Sequence, residues 1–299
     1  MPESLSIGES YMRMRSFLRL PAGLSVLIGL LSAGVHAQWL NYRTPGIPRL
    51  PDGKPNLLAP APRTAEGKPD LTGVWLHELT SVEEMKRLFG PLVDAAIKVD
   101  VPGMEIGTQH KYGFNILLDF KPEDSPMRPA TAEIFLKRLS GPPPAQCGLL
   151  GVPGFPLAGL LSEPMKIVQA PRVTMLVYEA GGHARQIFAD GRTLPREFEL
   201  PAYYGYSTGR WEADTFVVET AGFNDKTPLD ILGHPHSDQL KIIERFRRRD
   251  FGHLDVEMTF DDPKMYSRPF TIRIPHNLLA DADIFEMFPE NEKDCAHIK

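Results

Sequence analysis

Two ionisable residues of one predicted hairpin are candidates for acid–base chemistry. Glu244 and His253 lie in predicted strands 240–249 and 253–260, which are joined by a three-residue turn ending at Gly252. Alternation along these strands places Glu244 on an apolar face, where desolvation raises a carboxylate pKa towards the range that general acid–base catalysis uses. His253 lies on the opposite face, where neighbouring acids could hold its imidazole. The two residues are therefore predicted as rival catalytic sites.

The same hairpin also has a purely structural interpretation. An ion pair with Arg185 or Arg210 would satisfy Glu244 inside the core. Arginines facing acids across the ladder would make the His253 face a solvated, charge-paired surface. The predicted register places these residues opposite each other: Arg249–His253, Arg247–Asp255, Arg245–Glu257, Ile243–Thr259, Phe246–Val256, Glu244–Met258 and Ile242–Phe260.

The preceding predicted hairpin supplies candidates for substrate binding. Its first strand, 204–211, contains Tyr204, Tyr206, Arg210 and Trp211, and the chain turns at 212–214 into a second strand at 215–220. Tyr206 and Arg210 could position a substrate or stabilise developing negative charge, and the other aromatic rings could line a pocket. Aromatic residues are also common in strands for packing alone.

The segment His234-Pro235-His236 is a possible metal-binding pair. Proline keeps the backbone extended, so both imidazoles could lie on one side, with Asp238 as a further ligand. A lone H-x-H segment is equally typical of a loop whose histidines form hydrogen bonds. We therefore predict that the protein has no cofactor and no metal. A metal bound by His234 and His236 is the alternative. We set aside a G-x-S-x-G nucleophile elbow, a P-loop, an H-E-x-x-H motif and a dinucleotide-binding fingerprint.

The N-terminal region is predicted to be a signal peptide, residues 1–37. Arg13, Arg15 and Arg19 precede an apolar run at 22–35, which is followed by a small-residue cleavage site ending at Ala37. The run is short for a permanent membrane span, with an uncleaved anchor as the alternative. The net charge of −5 with interspersed signs argues against nucleic acid as a partner. We expect a periplasmic or secreted protein without a membrane span after cleavage.

The remaining chain is predicted to be mainly β, with one domain at 71–299. Residues 38–70 carry seven prolines and form an extended arm that either wraps the body or hangs free. Helices are predicted within an insertion at about 82–140, at 82–96 and 130–139. Strands 165–169, 173–179 and 184–189 have a period of two and are joined by short turns. This pattern predicts an antiparallel meander that either closes into a barrel or folds into a sandwich.

The two cysteines, Cys147 and Cys295, have two possible states. In an oxidising compartment they could form one disulfide between the middle of the chain and its tail. Two unpaired thiols are the alternative.

Long segments of the chain resemble a family of exported bacterial proteins. They are YGYSTGRWEADTFVVETAGFND at 204–225, GHPHSDQLKIIERFRRRDFGHL within 233–254, and ENEKD at 290–294. The resemblance implies export and a β-rich single domain, and it assigns no catalytic residues to this chain. The chain departs from the family pattern at Ala213, where the pattern has glycine. The segment Gly73-x-Trp75 before a meander is also similar to lipocalin-like barrels.

These observations predict an exported protein with a barrel pocket for a partly apolar small molecule. The leading hypothesis is a cofactor-independent acid–base enzyme, a lyase, isomerase or hydrolase, that uses Glu244 or His253. The alternative is a non-catalytic ligand-binding or carrier protein of the same architecture. A third possibility is an envelope protein that docks a partner through its arm.

Overall fold

The described part of the chain forms a closed β-barrel. The structure is a computed structural model and describes residues 43–91, 93, 110–140, 164–179, 184–230 and 232–284. Within these ranges there are nine strands: β1 (Gly73–His77), β2 (Met165–Ala170), β3 (Val173–Tyr178), β4 (Ala184–Phe188), β5 (Tyr206–Glu212), β6 (Thr215–Ala221), β7 (Lys241–Arg248), β8 (His253–Asp261) and β9 (Phe270–Leu278). Each strand pairs with the next, and β9 pairs with β1. The predicted fold class, mainly β with a barrel, is confirmed.

The barrel is a meander with one parallel step. Strands β4 and β5 run parallel, with Ile187 opposite Ser207, whereas the other neighbouring pairs are antiparallel. The connecting segment 189–205 carries the chain back along the barrel before β5 begins, which is why β5 starts at the same end as β4. The sequence analysis expected only antiparallel pairs, because no local pattern shows which way a long connection returns.

The register of the β7–β8 hairpin is confirmed at each predicted pair that lies within the two strands. Glu244 faces Met258, Arg245 faces Glu257 and Arg247 faces Asp255. Beyond the strand ends, the Arg249 amide donates to the His253 carbonyl at 2.9 Å and closes the turn. Alternation of apolar and charged residues fixes this register, since a slip by one position would bury the arginines.

The barrel interior is packed with apolar side chains from all its walls. Trp75, Tyr178, Phe216, Phe246 and Phe260 are among the largest side chains that are fully buried. They belong to one hydrophobic cluster with buried members from every strand except β5, whose partly buried Trp211 packs against it. At about 25 cal/mol per Å² of buried apolar area, this cluster is the main source of stability.

The proline-rich arm lies across one barrel end, which we call the turn end because the β2–β3, β5–β6 and β7–β8 turns meet there. Backbone amides of Phe251 and Gly252 in the β7–β8 turn donate to the carbonyls of Ala59 and Leu57. Arg248 reaches from β7 to the Asp70 carbonyl at 2.5 Å. The arm therefore wraps the barrel, as one of the two predicted alternatives had it.

Helices and long loops cover the opposite barrel end, which we call the capped end. The helices are α1 (Val82–Phe89), α2 (Lys111–Phe114) and α3 (Pro129–Ser140). Ser81 caps α1 by accepting from the Glu84 amide, and Gly90 ends it with a φ of 52°. Asp230, from the β6–β7 connection, accepts the Ile116 amide and joins the cap to the barrel. The helices fall within the predicted insertion at 82–140.

Several predictions concern residues outside the described ranges. They are the signal peptide at 1–37, the pairing of Cys147 with Cys295, and the Gly181-Gly182 turn. The prediction of a first helix that runs to residue 96 is wrong, because the helix that starts at Val82 ends at Phe89, where Gly90 adopts a φ of 52°. Among the helices that the structure describes, none is long and apolar enough to cross a membrane.

Candidate functional site

A cleft of about 450 Å³ opens at the turn end of the barrel, between the arm and the strand ends. One wall is the arm segment that contains Thr64, Glu66 and Lys68. The other residues that line it come from the β2–β3 turn, the end of β4 and strand β5: Gln169, Ala170, Pro171, Thr174, Ala189, Gly191, Gly209, Arg210 and Trp211. Its volume lies within the roughly 300–1,000 Å³ that is usual for small-molecule sites.

Two of the predicted substrate-binding residues, Arg210 and Trp211, line this cleft. The Arg210 guanidinium donates to Glu219 and, at 3.0 Å, to Glu212. The hydrogen bond that Arg210 donates to Glu219 is the main reason that the pKa of Arg210 is raised. The Trp211 ring packs against Phe216, with 5.1 Å between ring centroids. The cleft therefore combines one aromatic wall with a cation that is already paired.

The other two predicted substrate-binding residues, Tyr204 and Tyr206, lie elsewhere. The Tyr206 hydroxyl accepts a hydrogen bond from Arg192 at 2.9 Å, and its ring stacks on Phe188. Tyr204 stacks on Tyr178 with 6.0 Å between centroids, towards the barrel interior. Burial raises the pKa of both Tyr178, to about 12, and Tyr204. The four residues thus belong to three different environments.

Glu244 is fully buried inside the barrel and forms an ion pair with Arg185. The Arg185 guanidinium donates through Nη1 to Glu244 Oε1 at 2.9 Å and through Nη2 to Oε2. It also donates to the hydroxyls of Ser207, at 3.0 Å, and Thr220, at 2.7 Å. Burial is the largest single effect on the pKa of Arg185 and lowers it, but the charge of Glu244, the hydrogen bonds to Glu244 and the contribution of Tyr178 together outweigh burial, so the pKa is raised. The buried ion pair was one of the predicted alternatives for Glu244.

Ser207 in this cluster was missed by the sequence analysis. Residues 205–209 read Gly-Tyr-Ser-Thr-Gly, which has the G-x-S-x-G spacing of a nucleophile elbow. The structure places Ser207 within strand β5 rather than at a strand–turn–helix junction, and it is 1 % exposed. Its hydroxyl contacts Arg185 Nε and, at 2.9 Å, the Thr220 hydroxyl. Ser207 therefore acts here as a buried hydrogen-bonding partner.

His253, the other predicted catalytic residue, starts β8 beside the arm. Its Nδ1 lies 2.6 Å from Asp250 Oδ1, and the same oxygen accepts the Gly252 amide at 3.0 Å. Both side chains are 27 % exposed. The Asp250 carboxylate orients the imidazole, as the hypothesis of neighbouring acids required. Glu244 and His253 nevertheless lie on opposite faces of the sheet, as the register predicted.

His234 and His236 lie in the β6–β7 connection at the capped end, and their ring nitrogens have separate partners. His234 Nδ1 is 2.5 Å from Asp230 Oδ2, and its ring stacks on Phe135 at 4.2 Å. His236 Nδ1 lies 3.1 Å from the Ser237 carbonyl oxygen. Burial is the main cause that lowers the pKa of His236. No group of three or more His, Cys, Asp or Glu side chains in the described ranges is arranged to hold a metal ion.

Three histidines that the sequence analysis did not single out meet beside β1 and β9. His77 lies 5.7 Å from His110 and 6.5 Å from His276 between ring centroids, and all three are buried. His276 Nδ1 is 2.9 Å from the Ile274 carbonyl oxygen. Burial lowers the pKa of His110 and of His276 to about 3, so both are neutral at neutral pH. They come from three distant segments, so no spacing in the sequence predicts their contact.

Comparisons of the chain with protein-family models, with curated proteins and with solved structures find no match.

Proposed function

We propose that this protein binds a partly apolar small molecule in the cleft at the turn end of the barrel. The observation that carries the proposal is the cleft itself, because it has the volume of a ligand site and contains Arg210 and Trp211. We also propose that the protein acts outside the cytoplasm, as the predicted signal peptide at 1–37 and the resemblance to exported proteins indicate.

The geometry supports the ligand-binding alternative more directly than the catalytic one. Neither predicted catalytic residue is among the residues that line the cleft. The carboxylate of Glu244 is held by Arg185 inside the barrel, and His253 lies in the β7–β8 hairpin. Ligand binding needs only the shape and polarity that the cleft provides, whereas acid–base catalysis needs a proton-transfer group in contact with the bound molecule.

The test uses phenylnaphthylamine, a neutral apolar dye that fluoresces when it leaves water. We expect the purified protein to bind it at one site, and Ala170→Trp to abolish this binding because Ala170 lines the cleft. Val168→Trp is the matched control, since Val168 is an exposed residue of the same strand and is not among the residues that line the cleft. Thermal melting of both variants checks that the barrel is intact. Dye binding that Ala170→Trp leaves unchanged would refute a site in the cleft.

An acid–base enzyme is the second candidate function, and the Asp250–His253 pair favours it. A carboxylate at 2.6 Å from Nδ1 fixes the imidazole and leaves Nε2 for proton transfer at a partly exposed position. Hydrolase and lyase substrates should be screened with the wild type, His253→Gln and Asp250→Asn. The candidate requires an activity that both substitutions reduce strongly. An activity that is insensitive to both would rule out His253 as its acid or base.

A further inference from the structure

The arm contains two copies of one structural unit, residues 48–56 and 62–70. Both follow the pattern Pro-Arg-x-x-acid-Gly-Lys-Pro-Asn/Asp. In each copy the arginine donates to the glycine carbonyl of its own turn, Arg49 to Gly53 at 3.3 Å and Arg63 to Gly67 at 2.7 Å. Each copy is also closed by the same backbone hydrogen bonds. For example, the amide of its last residue donates to the carbonyl of its first proline. The copies are therefore natural controls for each other.

Only the second copy lines the cleft, and its lysine is placed differently from that of the first. Lys54 pairs with Asp52 of its own turn, with 3.3 Å between Nζ and the carboxylate. Lys68 forms no ion pair with the equivalent Glu66 or with any other residue in the described ranges. Its Nζ instead lies 3.4 Å from the Ala213 carbonyl oxygen, a long hydrogen bond.

Lys68 is the positive charge of the cleft that remains available to a ligand. The other lining cation, Arg210, is held by both Glu212 and Glu219. The barrel contributes Trp211 to the lining, together with small or apolar residues such as Pro171 and Ala189. An ammonium group from the arm and an aromatic side chain from β5 suit a molecule with one anionic end and one apolar body.

We infer that the ligand of this cleft is an apolar, preferably aromatic, anion whose charged group binds Lys68 and whose apolar body packs against Trp211. The inference rests on the proposed function, because it names the class of molecule that the proposed site takes. Lys68 belongs to the arm and Trp211 to β5, so such a ligand would also join the arm to the barrel wall.

The test compares anilinonaphthalene sulfonate, an aromatic anion, with the neutral phenylnaphthylamine on the full-length protein. We expect the sulfonate to bind more tightly, and Lys68→Gln to weaken its binding about tenfold or more, the usual effect of losing a hydrogen bond to a charged group. Lys68→Gln should leave the affinity for the neutral dye unchanged. Lys54→Gln, the equivalent change in the first copy, should affect neither dye.

The acidic residues of the two copies, Asp52 and Glu66, allow a second comparison, in which the expected effect on binding of the sulfonate dye has the opposite sign. Glu66 lines the cleft and repels an anion, so Glu66→Gln should tighten binding of the sulfonate dye, whereas Asp52→Asn should not. Added salt should weaken binding of the sulfonate and spare that of the neutral dye, because screening acts on charge.

The outcomes separate this inference from the proposed function. In one outcome, Ala170→Trp abolishes binding of the neutral dye, but Lys68→Gln and Lys54→Gln bind the sulfonate dye equally well. That outcome would overturn the inference and leave the proposed function standing. If neither dye binds the cleft, both are overturned. Sulfonate binding that Lys68→Gln weakens selectively, and that Ala170→Trp abolishes, supports both.

Discussion

At the scale of single residues, Glu244 shows how burial decides what a carboxylate does. Both of its oxygens accept from Arg185, which also donates to Ser207 and Thr220. Each of these four side chains is buried. A closed set of this kind neutralises the charge that a barrel interior cannot solvate. Both carboxylate oxygens are therefore occupied by donors of the protein inside the barrel.

We therefore expect Glu244→Gln to cost about 3–5 kcal/mol of unfolding free energy, because it leaves the Arg185 charge buried and unpaired. Urea denaturation measures the loss. The double substitution Arg185→Met/Glu244→Leu removes both charges and should recover most of it. Glu257→Gln, which breaks an exposed pair with Arg273, is the control and should cost far less. An unchanged midpoint for Glu244→Gln would show that the pair contributes nothing to stability.

Ala213 occupies a position whose backbone favours glycine. It lies in the two-residue turn between β5 and β6, with a φ of 52°. A Cβ atom in this region costs about 1–2 kcal/mol.

Ala213→Gly is accordingly expected to stabilise the protein by about 0.5–1 kcal/mol, the relief of strain less the greater flexibility of the unfolded chain. Ala221→Gly in the adjacent strand β6 should destabilise it, since Ala221 is buried in regular strand. Thermal melting of the two variants compares the signs. A loss of stability in both would mean that the turn carries no strain at Ala213.

At the scale of elements, the hairpins were predictable because their information is local. The alternation in β7 and β8, together with the three-residue turn, determined the register before any long-range contact was known. The parallel pairing of β4 with β5 was not predictable, because it depends on where segment 189–205 returns to the sheet. Arg210 and Trp211 were recognised as binding candidates, but the arm that completes their cleft lies far away in sequence. The likeness of the two arm units was visible, whereas their attachment to the barrel was not.

The two arm units are attached to the barrel with different degrees of exposure. Arg49 donates to both carboxylate oxygens of Asp281, at 2.7 and 2.5 Å, and the two side chains are 20 % and 23 % exposed. Arg63 makes the same arrangement with Asp214, but these side chains are 53 % and 58 % exposed. In each pair the arginine hydrogen bond is the main cause that lowers the pKa of the aspartate. Solvent and salt screen the second pair more strongly.

Hydrogen exchange should therefore detect the two units as separate elements. In Arg63→Gln we expect the amides of unit 62–70 to exchange about two- to fivefold faster, as for the loss of an exposed pair, while unit 48–56 stays unchanged. Arg49→Gln should have the reverse pattern. Exchange that rises equally in both units after either substitution would mean that the arm opens as one piece.

At the scale of the whole molecule, buried histidines link the stability of the barrel to pH. His110 and His276 have pKa values of about 3 in the folded protein against an ordinary value of 6.5. Between these values the unfolded chain binds more protons than the folded one, so the unfolding free energy falls as pH drops below about 6.5. Above 6.5 the two residues have no effect.

From pH 6.5 to pH 4.5, we expect a loss of up to about 1.4 kcal/mol per pH unit for each of the two histidines. This window lies above the pH at which most carboxylates titrate. His276→Gln should reduce the slope that urea denaturation measures across the window. His253→Gln is the control, because its imidazole is partly exposed and faces Asp250. A stability that does not change between pH 4.5 and 6.5 would contradict the burial of neutral imidazoles.

The seam between β1 and β9 also determines when this barrel can form during synthesis. The first strand of the barrel completes the wall only by pairing with the last, Trp75 beside Leu278. A nascent chain that lacks β9 would expose two unpaired strand edges, on β1 and on β8, and could not enclose its core. Pairing between strands so far apart in the sequence is slow to form, because the long intervening chain must first be closed into a loop. For a chain that is exported, as we propose, this delay has a use. The polypeptide remains open until its final strand has emerged, and an open polypeptide is the form that can be threaded through a membrane.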